Sequence, residues 1–224
     1  FQVDPPGYVP NVAPRVKDME VRRIPGVSDH ISLKKAWNLM RTQNVNTLPI
    51  VQEGNTLEGL ITISDIAKSY MDVYDNAILS TARTQYKNIL ETLDGTMVVG
   101  NVHAYFVKGK VVIAAANPDL MENYIEEDDL VILGNRYESQ LCAIEMKAGC
   151  IIVCEGAPVS NTIQRLAADR VCAVISTPHD TYTVARLINQ SMPVKFFMKS
   201  SNLITFHLDD YTDYIKDVMA KKPH

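Results

Sequence analysis

Two hydroxyl side chains and an acid stand close together in Thr62-Ile63-Ser64-Asp65, where an apolar strand predicted over 57–63 runs into a helix. The free N–H groups and the positive end of the helix dipole at such a corner favour an anion. Thr62 and Ser64 can donate hydrogen bonds to phosphate oxygens, whereas Asp65 would repel phosphate but can accept two bonds from a ribose diol. The corner therefore suits a nucleotide. The alternative is a helix cap without a ligand, since Ser64 and Asp65 are good capping residues and we expect Asp65 to be exposed.

Other reactive side chains form less specific patterns. His179 and Asp180 follow the apolar segment 172–176, at the carboxyl end where α/β sheets place their sites. Cys154 and Glu155 follow the preceding apolar segment, so an acid–base or thiol site can be imagined there. The spacing matches no hydrolase motif, and Gly-x-Ser-x-Gly is absent from the sequence. We therefore favour a structural role for His179.

Composition restricts the classes of function. The chain has 224 residues, a net charge of −4 and 46% hydrophobic residues, which predicts one or two domains with substantial cores. The mildly acidic balance argues against nucleic acid as a partner. No apolar segment reaches membrane-spanning length and no signal peptide opens the sequence, so we expect a cytoplasmic location and no membrane partner. The first residue is not methionine, and we expect the chain to be a piece of a longer protein.

Cysteine and histidine usage indicates no metal site. Cys150 and Cys154 lie on one predicted strand, roughly 13 Å apart, which is too far for one metal or one disulfide. The histidines are scattered without metal-ligand spacing. We expect reduced, buried thiols and no cofactor or metal held by this chain.

The elements around the corner occur in a specific order. Residues 31–40 carry apolar side chains at helical spacing, including Trp37, which we expect in the core or a module interface rather than as a base-stacking platform. A predicted strand over 45–51, a turn, and the strand and helix of the corner follow. This order, ending on Gly-x-x-Thr-x-Ser-Asp at 59–65, resembles a CBS domain, the nucleotide-sensing module, over about residues 15–72.

The pattern changes after residue 95. Short apolar segments alternate with amphipathic ones, which indicates a mostly parallel sheet covered on both faces. The apolar segments are 110–116, 129–134, 150–154 and 172–176. The block resembles a DRTGG domain through the turns at 134–136, 154–158 and 176–180. The signature Asp-Arg-Thr-Gly-Gly is replaced here by Asn-Arg-Tyr-Glu-Ser at 135–139.

The last part of the chain repeats the first. The spacing that separates Met19 from Met40 also separates Met198 from Met219, and such repeats carry weight in predicting a fold. The predicted fold class is therefore α/β: a β-α-β-β-α CBS module, an inserted DRTGG domain and the start of a second CBS module. We expect residues 74–94 to be helical. The predicted divisions are a linker at 1–14, the first module at 15–73, a connecting helix at 74–83, the DRTGG domain at 84–192 and the incomplete second module at 193–224.

The order CBS, DRTGG, CBS resembles the regulatory region of CBS-containing inorganic pyrophosphatases of the manganese- or cobalt-dependent, DHH type. The resemblance implies an adenine-nucleotide sensor, with AMP and ADP as inhibitors and ATP or diadenosine polyphosphates as activators. It also implies a homodimer, and a parent enzyme that hydrolyses diphosphate while this chain itself is not catalytic. The alternative is a dimerisation or scaffolding module without a ligand.

The same resemblance implies the residues that hold the nucleotide. The base would contact the backbone of Asn46 and Thr47, and the second module would place Ile204, on its first strand, against it. Lys199 would be the counter-charge of the phosphate. The corner itself would hold ribose and phosphate through Thr62, Ile63, Ser64 and Asp65. Lys199 could instead be a solvated lysine, and Ile204 a core residue.

Overall fold

The structure, a computed structural model, describes residues 14–19, 23–114 and 117–221. The chain divides into two units, one of residues 26–199 and one of residues 1–25 with 200–224, and each is described by itself. The linker predicted over 1–14 lies outside the described residues except for Pro14.

The larger unit begins with a helix that buries one face. Helix α1 (Leu33–Gln43) starts after Ser32, whose hydroxyl accepts a hydrogen bond from the Lys35 N–H at 3.0 Å. It ends at Asn44, whose φ of 53° stops the helix in the left-handed conformation. Its buried side chains recur at helical spacing, as the sequence predicts; they are Leu33, Ala36 and Met40.

A two-stranded antiparallel sheet and a second helix complete the first module. Strand β1 (Thr47–Val51) pairs with β2 (Leu57–Thr62), and helix α2 (Ile63–Met71) follows β2 without a loop. Leu48 lies opposite Ile61, and both are fully buried. The strand–turn–strand–helix order predicted around the corner is thus present.

Two short bridges extend this sheet on its outer sides. Val27 pairs in parallel with Ile50 of β1, and Lys199 pairs antiparallel with Leu60 of β2. The sheet therefore contacts both the first and the last residues of the larger unit.

The helix predicted over 74–94 is interrupted. Helix α3 (Ile78–Thr81) is followed by strand β3 (Thr84–Gln85) and helix α4 (Tyr86–Leu93). Arg83 adopts a φ of 55° between them, and this left-handed conformation cannot continue a right-handed helix. The apolar positions that predicted one helix belong to two separate helices, α3 and α4.

A five-stranded sheet forms the rest of the larger unit. Its strands are β4 (Thr96–Val99), β6 (Val111–Ile113), β7 (Leu130–Leu133), β8 (Cys150–Val153) and β9 (Ala173–Ser176), in the order β4-β9-β8-β7-β6. All neighbours are parallel except β4, which lies antiparallel at one edge beside β9. Every residue of β7 and β8 is buried, which confirms the mostly parallel sheet predicted from continuous apolar segments. The short strand β5 (Tyr105–Phe106) pairs separately with β3.

Four helices accompany this sheet in the described part of the chain. They are α5 (Pro118–Met121), α6 (Tyr137–Glu145), α7 (Asn161–Asp169) and α8 (Thr181–Leu187). Short 3-10 turns at Ile188–Ser191 and Val194–Phe196 lead back to the first module.

The smaller unit contains a 3-10 turn at Val16–Asp18 and helix α9 (Thr212–Lys221). Lys17 Nζ lies 3.0 Å from Asp209 Oδ1 and joins its two segments. Residues 203–207 form neither helix nor strand, so the first strand that we predicted for the second module, around Ile204, is not formed.

Neither a helix suited to span a membrane nor a metal-binding cluster is found in the described ranges. None of their helices combines the length and apolar character needed to span a bilayer. No group of three or more His, Cys, Asp or Glu side chains in these ranges is arranged to hold a metal ion.

Candidate functional site

The corner after β2 is closed by reciprocal hydrogen bonds between Thr62 and Asp65. The Asp65 N–H donates to Thr62 Oγ1 at 3.1 Å, and the Thr62 N–H donates to Asp65 Oδ2 at 2.9 Å. This is a capping box with Thr62 as the N-cap and Asp65 at the third helical position. Our assignment of the cap to Ser64 or Asp65 was therefore wrong. The expectation that Asp65 is exposed was also wrong, since its side chain is only 13% exposed and one oxygen holds the backbone.

The predicted base-contacting residues lie beside this cap. The Ile63 N–H donates to the Asn46 carbonyl at 2.8 Å, and Thr47 is the antiparallel partner of Thr62. Because strands β1 and β2 pair at this point, Asn46 and Thr47 lie beside Thr62 and Ile63, although the two pairs of residues are separated in sequence. Ser64 is exposed on the same turn, and no protein acceptor for its N–H is found within the described residues.

Lys199 reaches the corner through its backbone. It exchanges two hydrogen bonds with Leu60, N to O at 2.8 Å and O to N at 2.9 Å, and so forms a third strand-like segment beside β2. Its ammonium nitrogen then lies 3.7 Å from Asp65 Oδ1, while the lysine side chain remains 65% exposed. The cation is thus held near the corner by one carboxylate and remains open to an anionic ligand.

A glycine permits this close approach. A Cβ on Gly59 would lie 2.8 Å from the Lys199 carbonyl oxygen and 2.9 Å from Met198 Sδ. Any larger residue would push the 198–199 segment away from β2. The sequence pattern contains Gly59, but nothing in it shows that the glycine faces Lys199.

Ile204 is the one predicted site residue outside this group. It belongs to the smaller unit and is half-buried there. The larger unit therefore brings together seven of the eight predicted residues: Asn46, Thr47, Thr62, Ile63, Ser64, Asp65 and Lys199.

The residues of the alternative acid–base or thiol site lie near one another, since the Glu155 N–H donates to the His179 carbonyl at 2.8 Å, but their side chains have other partners. His179 Nε2 lies 2.9 Å from Asp94 Oδ2. Asp180 caps α8, and the hydrogen bond from Thr183 at 2.7 Å lowers the pKa of its carboxyl group. Burial raises the pKa of the Cys154 thiol to about 12, so it is protonated at neutral pH. His179 thus forms a hydrogen-bonded pair with Asp94, Asp180 caps a helix, and Cys154 is a core side chain.

Comparison with known proteins identifies two domains in this chain. The CBS domain matches residues 16–72, and the DRTGG domain matches residues 88–191. The crystal structure of the CBS and DRTGG domains of the regulatory region of Clostridium perfringens pyrophosphatase, complexed with the activator diadenosine tetraphosphate, is 38% identical with a TM-score of 0.87. The match covers 92% of this chain and 90% of that one. This chain belongs to the family of CBS–DRTGG regulatory regions. The resemblance inferred from the sequence is confirmed.

Longer relatives carry this regulatory region within an enzyme. The cobalt-dependent inorganic pyrophosphatase of Clostridium perfringens is 37% identical over 221 residues, 99% of this chain. The probable manganese-dependent inorganic pyrophosphatase of Thermotoga maritima is 27% identical over 219 residues, 98% of this chain. The chain spans 40% of the length of each of these two relatives.

Proposed function

We propose that this CBS–DRTGG chain binds adenine nucleotides at the Thr62–Asp65 corner and thereby regulates an inorganic pyrophosphatase that uses manganese or cobalt. The observation that carries the proposal is the 38% identity, over nearly the whole chain, to a regulatory region complexed with diadenosine tetraphosphate. AMP and ADP are the proposed inhibitors, and ATP or diadenosine polyphosphates the proposed activators. We place this activity in the cytoplasm.

The corner offers a distinct partner to each part of a nucleotide. Ser64 presents an exposed hydroxyl and an N–H group at the start of α2, and the Lys199 ammonium adds a positive charge for phosphate. Asp65 keeps one oxygen for a ribose hydroxyl, since the other accepts the Thr62 N–H. The base would lie against Asn46 and Thr47, beside Thr62 and Ile63.

Regulation requires that the ligand prefers one arrangement of the chain over another. A phosphate at the corner would compete with the Asp65 carboxylate for the Lys199 ammonium group, so that binding of the phosphate would draw Lys199 away from Asp65. Lys199 is also the last residue of the larger unit, and Ser200 begins the return to the smaller one. A movement of Lys199 therefore bears directly on the chain segment that joins the units.

Calorimetric titration of the chain with adenosine, AMP, ATP and diadenosine tetraphosphate tests the proposal. Lys199→Met should weaken ATP and diadenosine tetraphosphate several-fold and leave adenosine unchanged, when measured at one ionic strength because salt screens exposed charges. Lys68→Met is the matched control, because it removes an exposed lysine from the far end of α2. An absence of binding heat with all four ligands would refute the proposal.

Asp65 needs a control that separates ribose binding from capping. Asp65→Ala should weaken AMP about ten- to a hundredfold, the equivalent of roughly 1.5–3 kcal/mol for hydrogen bonds to a charged group. The matched ligand is 2′,3′-dideoxy-AMP, which lacks the ribose hydroxyls and should be weakened little by Asp65→Ala. If Asp65→Ala weakens AMP and 2′,3′-dideoxy-AMP equally, Asp65 acts through the cap and our placement of the ribose is wrong.

We also propose that the chain forms a homodimer. Met71, the last residue of α2, and Val73, two residues beyond it, are 82% and 99% exposed. Large apolar side chains exposed together often mark an association surface. Sedimentation should give the mass of a dimer, and Met71→Lys with Val73→Lys should shift it toward the monomer. A wild-type dimer that gives no heat with any nucleotide would instead favour the scaffolding alternative.

A further inference from the structure

A cavity of about 620 Å³ lies where the first module meets the DRTGG domain. Its volume falls in the range of small-molecule sites in proteins. Helix α1 contributes three of its residues, α2 one, and the end of the DRTGG domain two. These are Lys34, Trp37, Asn38, Tyr70, Arg186 and Gln190.

The two charged residues that line this cavity, Lys34 and Arg186, are both positive. Lys34 Nζ donates to the Thr92 carbonyl at 3.3 Å, which ties its ammonium group to α4. Arg186 has no salt-bridge partner within residues 14–19, 23–114 and 117–221. Neither Asp nor Glu is found among the described residues that line the cavity. Two cations in a lining that contains no acid favour an anionic ligand. A guanidinium group can bind phosphate through two hydrogen bonds.

The remaining lining residues suit a planar ring. We expected Trp37 in the core or a module interface rather than as a base-stacking platform, but it is only half-buried and lines the cavity. Tyr70 is exposed over about half of its surface at 48%. Aromatic side chains bind nucleobases by stacking, largely without preference for one base. Asn38 and Gln190 each offer a donor and an acceptor that could bind the edge of such a ring.

We propose that this cavity binds a nucleoside monophosphate, with the ring at Trp37 and Tyr70 and the phosphate at Lys34 and Arg186. The site is separate from the corner after β2. Tyr70 follows Thr62 by eight residues, which is about 12 Å along helix α2. Because its residues come from both domains of the larger unit, the bound ligand would hold the first module against the DRTGG domain.

Trp37 is the single tryptophan of the sequence, so its fluorescence reports this cavity. Titration with GMP should quench the fluorescence saturably. Guanosine, which lacks the charge, and ribose 5-phosphate, which lacks the ring, should bind much more weakly. Arg186→Gln should weaken GMP about tenfold or more, since a charge-assisted contact is lost. Arg170→Gln, at the exposed end of α7, is the matched control and should bind GMP as the wild type does.

The corner provides the second control. Lys199→Met should leave the quenching by GMP unchanged, because Lys199 does not line this cavity. A loss in Lys199→Met as large as that in Arg186→Gln would show that the fluorescence reports the corner, and would overturn the proposal. An absence of saturable quenching at millimolar GMP, or equal quenching in Arg186→Gln and wild type, would overturn it as well.

Discussion

Substitution of Gly59 by alanine should separate the Lys199 segment from strand β2. The added Cβ would lie 2.8 Å from the Lys199 carbonyl oxygen. That oxygen belongs to the backbone and cannot rotate away as a side chain would, whereas the Met198 sulfur at 2.9 Å can. The segment must therefore move by several tenths of an ångström, and the Leu60–Lys199 hydrogen bonds must lengthen or break.

The size of the effect follows from the two bonds. They measure 2.8 and 2.9 Å, and each contributes a net stability of about 0.5–1.5 kcal/mol. Alanine regains about 0.4–1 kcal/mol by restricting the unfolded chain. The local opening free energy of this segment should thus fall by about 1–2 kcal/mol, so that its amides exchange roughly 5 to 30 times faster.

Native-state hydrogen exchange at the Leu60 and Lys199 amides measures this directly. Gly134→Ala is the matched control, since no atom lies within 4 Å of its added Cβ, and it should leave both amides as protected as in the wild type. Unchanged protection of both amides in Gly59→Ala would refute the reasoning. It would mean that the segment is not held by β2.

Three further substitutions test other parts of the structure. Asp129→Asn should lower the free energy of unfolding in urea by about 2–4 kcal/mol. The reason is that Asp129 is buried and accepts hydrogen bonds from both the backbone N–H and the ammonium group of Lys110. A loss below about 0.5 kcal/mol would contradict this prediction. The hydrogen bond from Thr183 lowers the pKa of Asp180, so its stabilising contribution is present above the unfolded pKa of about 3.9 and is lost as the pH falls through the lower, folded value. Asp180→Asn keeps a capping side chain, and its Tm should therefore fall less steeply than that of the wild type below about pH 4. Thr62→Val should cost about 1 kcal/mol in unfolding experiments by removing the cap oxygen, while Thr62→Ser should cost little; equal losses would assign the effect to packing.

The parts of the fold that could be predicted are those encoded by local patterns. Continuous apolar segments predicted β7 and β8, because strands buried on both faces need apolar residues on both. The edge strand β4 was missed, since its residues are exposed or only half-buried. The break at Arg83 was missed too. Its backbone adopts the left-handed conformation, which a glycine in the sequence would have indicated but an arginine does not.

The site shows the same division between local and distant information. The hydroxyl and acid residues of the corner are adjacent in sequence, so their chemistry could be inferred, although the cap proved to be Thr62. The approach of Lys199 to Asp65 depends on a pairing with Leu60 across more than a hundred residues. The cavity around Trp37 is likewise lined by Arg186, a residue far away in sequence. No periodic pattern in the sequence predicts that two such distant residues lie together.

The bridges on the outer sides of β1 and β2 have a consequence for the modularity of the chain. Val27 and Lys199 flank the two strands, so the larger unit starts and ends about 14 Å apart, three strand spacings across one sheet. Domains whose ends lie close together can be inserted into a host protein at a surface loop without drawing its flanking segments apart. Residues 26–199 thus have the geometry of a domain that could be inserted into a loop of a host protein through the two ends of a single sheet.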